Sequence, residues 1–149
     1  IEVSFKALNE GKKQDRIDIL LYKKDSRALQ FVEAKHYSNK ELWSTETPKV
    51  IKQIKQYEAQ VAMQKTKILS EYSEYVRTLN SLFKISFPEP ADIEEKVTLL
   101  IFGFDRDQQK GRLKKLITEN PQYKGIKNYS IGNIKQVVPE NLWKEAKVL

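Results

Sequence analysis

The sequence predicts an α/β domain in which one mixed sheet (α+β in its strand directions) is flanked by helices. Three stretches carry that expectation. Residues 1–35 hold short, apolar-alternating segments separated by tight polar turns, the pattern of half-buried strands. Residues 49–84 run without glycine or proline and repeat apolar side chains at helical spacing. Val97–Phe104 (VTLLIFGF) is a near-continuous apolar run, as expected of a strand covered on both faces.

The first strand is expected over residues 1–8, where Ile1, Val3, Phe5 and Ala7 alternate with Glu2, Ser4 and Lys6. Asn9-Glu10-Gly11-Lys12 reads as a turn, with Gly11 free to take a positive φ. Arg16–Tyr22 is the second strand, Lys24-Asp25-Ser26-Arg27 the second turn, and Ala28–Lys35 the third strand. Loops this short join antiparallel neighbours, so a three-stranded meander is predicted.

After the polar segment 38–46, Thr47 and Pro48 suit an N-cap and a first helical position. Val50, Ile54, Tyr57 and Val61 then recur at helical spacing, as do Ile68, Leu69, Tyr72, Tyr75, Val76, Leu79, Leu82 and Phe83; Tyr72, Tyr75 and Phe83 are expected in the core rather than as base-stacking platforms. One helix over 49–84 would be about 54 Å long at 1.5 Å per residue. A compact domain of this size is only roughly 40 Å across. Two helices, or a marked kink between Gln64 and Ser70, are therefore expected. Pro88 and Pro90 close this region; Asp105–Ile117 reads as a helix, Ile126–Ile131 as a strand, and Pro139–Trp143 as the opening of a short helix. The predicted order is β-β-β-α-(α)-β-α-β-α, within one domain over 1–149.

Composition narrows the chemistry. With no cysteine and one histidine, thiolate and histidine-rich metal sites are excluded. A metal here is held by oxygen, which favours magnesium, manganese or calcium. The net charge of +7 fits either a lysine-rich solvated surface or a polyanionic partner. No signal-peptide pattern opens the chain and no apolar run reaches membrane-span length, so an intracellular, cytoplasmic protein without membrane contact is expected. Because the chain starts at Ile1 inside a strand, an N-terminal segment is expected ahead of it.

The chemistry concentrates between Gln14 and Tyr57. A turn centred at Asp25-Ser26 pairs residues whose numbers sum to 51, so Leu20 faces Phe31, Tyr22 faces Leu29 and Asp18 faces Glu33. Opposed side chains lie about 4.5–5.5 Å apart at Cβ, and like charges there destabilise a sheet. A divalent cation between the two carboxylates removes that penalty. Glu33 and Lys35 are two apart on a strand and emerge on one face, so the lysine reaches the same place. A metal beside an ammonium suits attack of water on a phosphodiester. The competing reading leaves Asp18 a solvated acid and Glu33/Lys35 a surface ion pair, which contributes little. Against it, both acids lie within strongly apolar strands, where acids need compensation.

Asp18 followed by Glu33-x-Lys35 across a hairpin resembles the PD-(D/E)xK nuclease superfamily, the restriction-endonuclease-like fold. Gln53-x-x-x-Tyr57 on the next helix resembles the Q-x-x-x-Y element of its RecB-like members. The resemblance covers roughly residues 1–104 and implies an αβββαβ core without its first helix. It implies Asp18, Glu33 and the backbone carbonyl of Ala34 as ligands of Mg²⁺ or Mn²⁺, Lys35 as the catalytic lysine, and Gln53 and Tyr57 as groups that position substrate or lysine. Many members carry a further glutamate on a helix before the first strand; here Glu2 falls in the strand and Glu10 in the turn. Asp15 is the rival to Asp18, but a shift of three reverses its face.

Lys49, Lys52 and Lys55 could meet phosphates or form a solvated helix face. His36 points away from Lys35 and is expected to be structural or solvated, and Trp43 to pack over the core or touch substrate. The expected function is metal-dependent hydrolysis of nucleic acid, with DNA favoured. The alternatives are an inactive nucleic-acid-binding module of the same fold and a basic α/β interaction domain.

Overall fold

The computed structural model describes residues 3–5, 15–43 and 46–148. It is an α+β arrangement around an open mixed sheet. In chain order the elements are β1 (Val3–Phe5), β2 (Asp15–Ile17), β3 (Ile19–Lys23), β4 (Ala28–His36), α1 (Lys49–Phe83), β5 (Asp92–Ile93) and β6 (Thr98–Phe102). Then follow α2 (Arg106–Gln108), α3 (Lys114–Glu119), β7 (Lys127–Ile131), α4 (Pro139–Lys144) and β8 (Lys147–Val148). The expected turn at residues 9–12 lies outside the described residues.

The main sheet has the order β3-β4-β6-β7-β8, with β5 pairing the start of β4. β4, β6 and β7 run parallel, while β3 and β8 are antiparallel to their neighbours. The helix α1 thus forms the crossover between the parallel neighbours β4 and β6. The cover on both faces predicted for β6 is met: Leu99 and Ile101 enter the larger core beneath α1, and Leu100 enters a smaller one with Val32, Tyr129 and Leu142 of α4.

The hairpin register follows the predicted sum. Ile19 pairs Val32, Leu20 pairs Phe31, Leu21 pairs Gln30, Tyr22 pairs Leu29 and Lys23 pairs Ala28. The meander does not form as one sheet. The second strand bends at Asp18, so β2 pairs β1 in a separate two-stranded ladder while β3 stays with β4. The bend has a local cause: the Ala34 N–H donates to Asp18 Oδ2 at 2.9 Å, and the side chain takes the place a ladder carbonyl would hold.

The expected break in the long helix is absent. α1 is a single helix of 35 residues, about 52 Å long, because no residue within it interrupts the hydrogen-bond ladder. Its extra length is carried as exposed turns rather than folded back. Buried positions crowd its first 20 residues (Val50, Ile51, Ile54, Tyr57, Gln60, Val61 and Ile68), and only Val76 follows. Tyr75 and Phe83, expected in the core, are exposed, as is Leu82. The helix starts one residue later than Thr47-Pro48 predicts, with Pro48 at the cap position. The predicted helix Asp105–Ile117 is α2 and α3 joined by a π-turn, Gln109–Leu113, in which Gly111 leaves helical dihedrals.

Gly103, just beyond β6, has φ +81°, and a Cβ there would overlap the His36 imidazole. Gly103→Ala is expected to lower stability by about 1–3 kcal/mol from backbone strain alone, read as a lower urea midpoint with unchanged slope. A midpoint equal to wild type would refute that expectation.

Candidate active site

Alternation along β4 sends Leu29, Phe31, Glu33 and Lys35 toward α1, and Val32 and Ala34 toward the smaller core. Glu33 therefore continues a buried apolar row and is only 2% exposed. Its Oε1 lies 2.7 Å from Lys35 Nζ. Its Oε2 is buried without a hydrogen-bond partner. A buried carboxylate oxygen left bare is costly, and a cation is one remedy.

Lys35 also reaches Glu41 Oε2, at 2.9 Å. Glu41 was not singled out by any sequence pattern. It lies on a 3₁₀ turn, Lys40–Leu42, whose start is held by the Glu41 N–H donating to Asn39 Oδ1 at 2.9 Å. Leu42 anchors that turn in the core, and the Tyr123 hydroxyl donates to its carbonyl at 2.9 Å. An asparagine two residues ahead of an acid is a capping signal that could have marked the turn; its approach to Lys35 is purely tertiary.

Burial pushes the Glu33 carboxyl above its ordinary pKa; Lys35 pulls it back in part, and the charges of Asp18 and Glu41 push it up again. For Lys35, burial works to lower the pKa, but its hydrogen bonds to Glu33 and Glu41 and their charges outweigh that and hold it above the usual value. Lys35 is thus an ammonium, suited to donating hydrogen bonds and unsuited to accepting a proton.

Asp18 is not the ladder partner of Glu33 that the pairing sum implies, because the ladder ends at Ile19 and Val32. Its exposed carboxylate instead caps the Ala34 N–H, within electrostatic reach of Glu33. In an extended strand the N–H and C=O of one residue share an edge, so the Ala34 carbonyl is directed to the side where Asp18 stands. These three oxygen donors would fit a hard divalent cation that keeps several waters. Among the described residues no group of three or more His, Cys, Asp or Glu converges as a metal site.

No protein-family model matches this chain, and no curated protein or solved structure does.

The other sequence candidates divide. The Gln53 amide donates to the Tyr57 hydroxyl at 3.1 Å, and that hydroxyl donates to the Arg16 carbonyl at 2.6 Å, tying α1 to the strand that leads into Asp18. Gln53 Oε1 is buried without a partner. Lys49, Lys52 and Lys55 are exposed on the first turns of α1. His36 stands on the opposite side of β4 from Lys35, edge-on to Phe102 at 5.4 Å, with Nδ1 2.8 Å from Ser38 Oγ. Among the described residues no helix is long and apolar enough to cross a membrane.

Proposed function

We propose that this chain is a metal-dependent nuclease of the PD-(D/E)xK, restriction-endonuclease-like type, hydrolysing phosphodiester bonds in nucleic acid, with DNA the favoured substrate. The observation that carries the proposal is Glu33: a buried carboxylate with one oxygen on the Lys35 ammonium and the other bare, at a strand edge that Asp18 also reaches. The antiparallel β3-β4 hairpin, followed by α1 and a parallel β6, supports the restriction-endonuclease-like assignment.

Asp18, Glu33 and the Ala34 carbonyl would hold Mg²⁺ or Mn²⁺. When bound, the cation supplies Lewis acidity to the scissile phosphate and acidifies water. Lys35 leans on Glu33 and Glu41 and donates a hydrogen bond toward the phosphate as charge develops there. Water oxygen bonds to phosphorus and gives up a proton to solvent, the P–O bond to the leaving deoxyribose oxygen breaks, and that oxygen takes a proton from solvent. Gln53 and Tyr57 act from beneath by fixing the backbone ahead of Asp18.

Among the described residues no group of three or more His, Cys, Asp or Glu is arranged to hold a metal, which favours, as a second reading, a binding module without turnover. Incubating plasmid and oligonucleotide DNA with purified protein separates the two. Cleavage with Mg²⁺ or Mn²⁺ that chelation abolishes is expected. Binding without cleavage gives the binding module, and neither activity overturns both.

A further inference from the structure

Beyond the carboxyl ends of β4 and β6 lies an open cleft of about 530 Å³ lined by Tyr37, Ser38, Lys40, Trp43, Gln108 and Arg112. Tyr37 continues the alternating row of Glu33 and Lys35 and packs against the same core. Lys40, in the cleft, is followed directly by Glu41, which binds Lys35. Cleft and acid–lysine cluster are therefore neighbours, in the place where open α/β sheets take ligands.

The cleft has a rigid wall. Trp43 Nε1 donates to the Tyr37 carbonyl at 2.7 Å, and the two rings meet edge to face at 5.0 Å. The Arg112 guanidinium lies 3.9 Å from the centre of the indole ring. A guanidinium laid on an aromatic face keeps its N–H fork aimed outward and loses little freedom on binding an anion. No carboxylate pairs with Arg112 or Lys40 among the described residues. The indole face that Arg112 covers is closed to a stacked base. The available chemistry is anion recognition, by a planar fork and a flexible ammonium.

We propose that this cleft is a backbone subsite, in which Arg112 and Lys40 hold a phosphate of the same DNA strand that the Glu33–Lys35 cluster acts on. The inference rests on the nuclease reading for its substrate, and its test separates the two. Binding of a fluorescent single-stranded oligodeoxynucleotide is followed by anisotropy in chelator, across a salt series. Cleavage is measured in parallel with Mg²⁺.

Arg112→Gln and Lys40→Gln are each expected to weaken binding about five- to tenfold and to reduce the slope of log K against log salt by about one. Lys84→Gln, an equal charge change at the far end of α1, serves as the comparison. Both cleft side chains are exposed, and a thermal melt checks that each variant folds. Losses no larger than that of Lys84→Gln overturn the subsite, and the nuclease reading stands if cleavage persists. Poly-glutamate competing as well as DNA of equal charge also overturns it. The expected losses in a protein that never cleaves support the phosphate site and remove the nuclease reading.

Discussion

Glu33→Gln is expected to lower metal-dependent cleavage by about a thousandfold, on the scale of losing a main electrostatic group in an active site, while DNA binding persists. The substitution keeps the shape of a side chain that is almost wholly buried and leaves an oxygen for Lys35. It removes the charge that would hold the cation. Glu33 must be ionised to act, and burial has raised its pKa. Wild-type activity is therefore lost as pH falls through a value above the ordinary glutamate range. Metal and proton compete for the same oxygens, so more Mg²⁺ moves that limb to lower pH. A limb indifferent to Mg²⁺ would exclude Glu33 as a ligand.

Stability carries the opposite sign. A carboxyl whose pKa is raised on folding contributes stability below its unfolded pKa and loses it as pH rises through the folded value. Without metal, Glu33→Gln should therefore melt above wild type at neutral pH, and the gap should close in acid. Mg²⁺ should raise the wild-type melting temperature and leave the variant unmoved. A metal-independent melt in wild type counts against the site as strongly as lost cleavage would.

Phe31→Ala is expected to cost about 3–5 kcal/mol, the range for deleting a fully buried aromatic side chain. Phe31 is 0% exposed, lies opposite Leu20 on β3 and packs into the core beneath α1. Stability of a domain this size is about 5–15 kcal/mol, so the loss approaches unfolding. Phe83→Ala, on the exposed last turn of α1, is expected to fall within about 0.5 kcal/mol of wild type. Urea midpoints measure both. Comparable losses at the two sites would mean that the end of α1 is packed, contrary to its exposure.

The contrast between Phe31 and Phe83 shows how far local pattern reaches. Both are apolar residues in apolar-periodic stretches, and only the sheet beneath α1 distinguishes them. Periodicity and turn length act over a few residues, which is enough to put Leu20 against Phe31, to alternate Leu99 and Leu100 between two faces, and to bring Glu33 and Lys35 to one side. It was also enough to place Asp18 near Glu33. How Asp18 gets there was beyond it: the carboxylate bends the chain by taking the Ala34 N–H, a choice made only once β4 is a strand with an open edge.

The unbroken α1 and the late-arriving Glu41 have the same kind of origin. An uninterrupted ladder keeps a helix whole whatever the domain's diameter, and the surplus turns remain exposed. Glu41 meets Lys35 because Leu42 is anchored in a core assembled from residues as distant as Tyr123. Residue types and their spacing are legible along the chain, since they depend on neighbours a few positions away. Which carboxylate caps a backbone, which bridges a lysine and which oxygen is left bare depends on surfaces that meet only when the sheet closes over its helix.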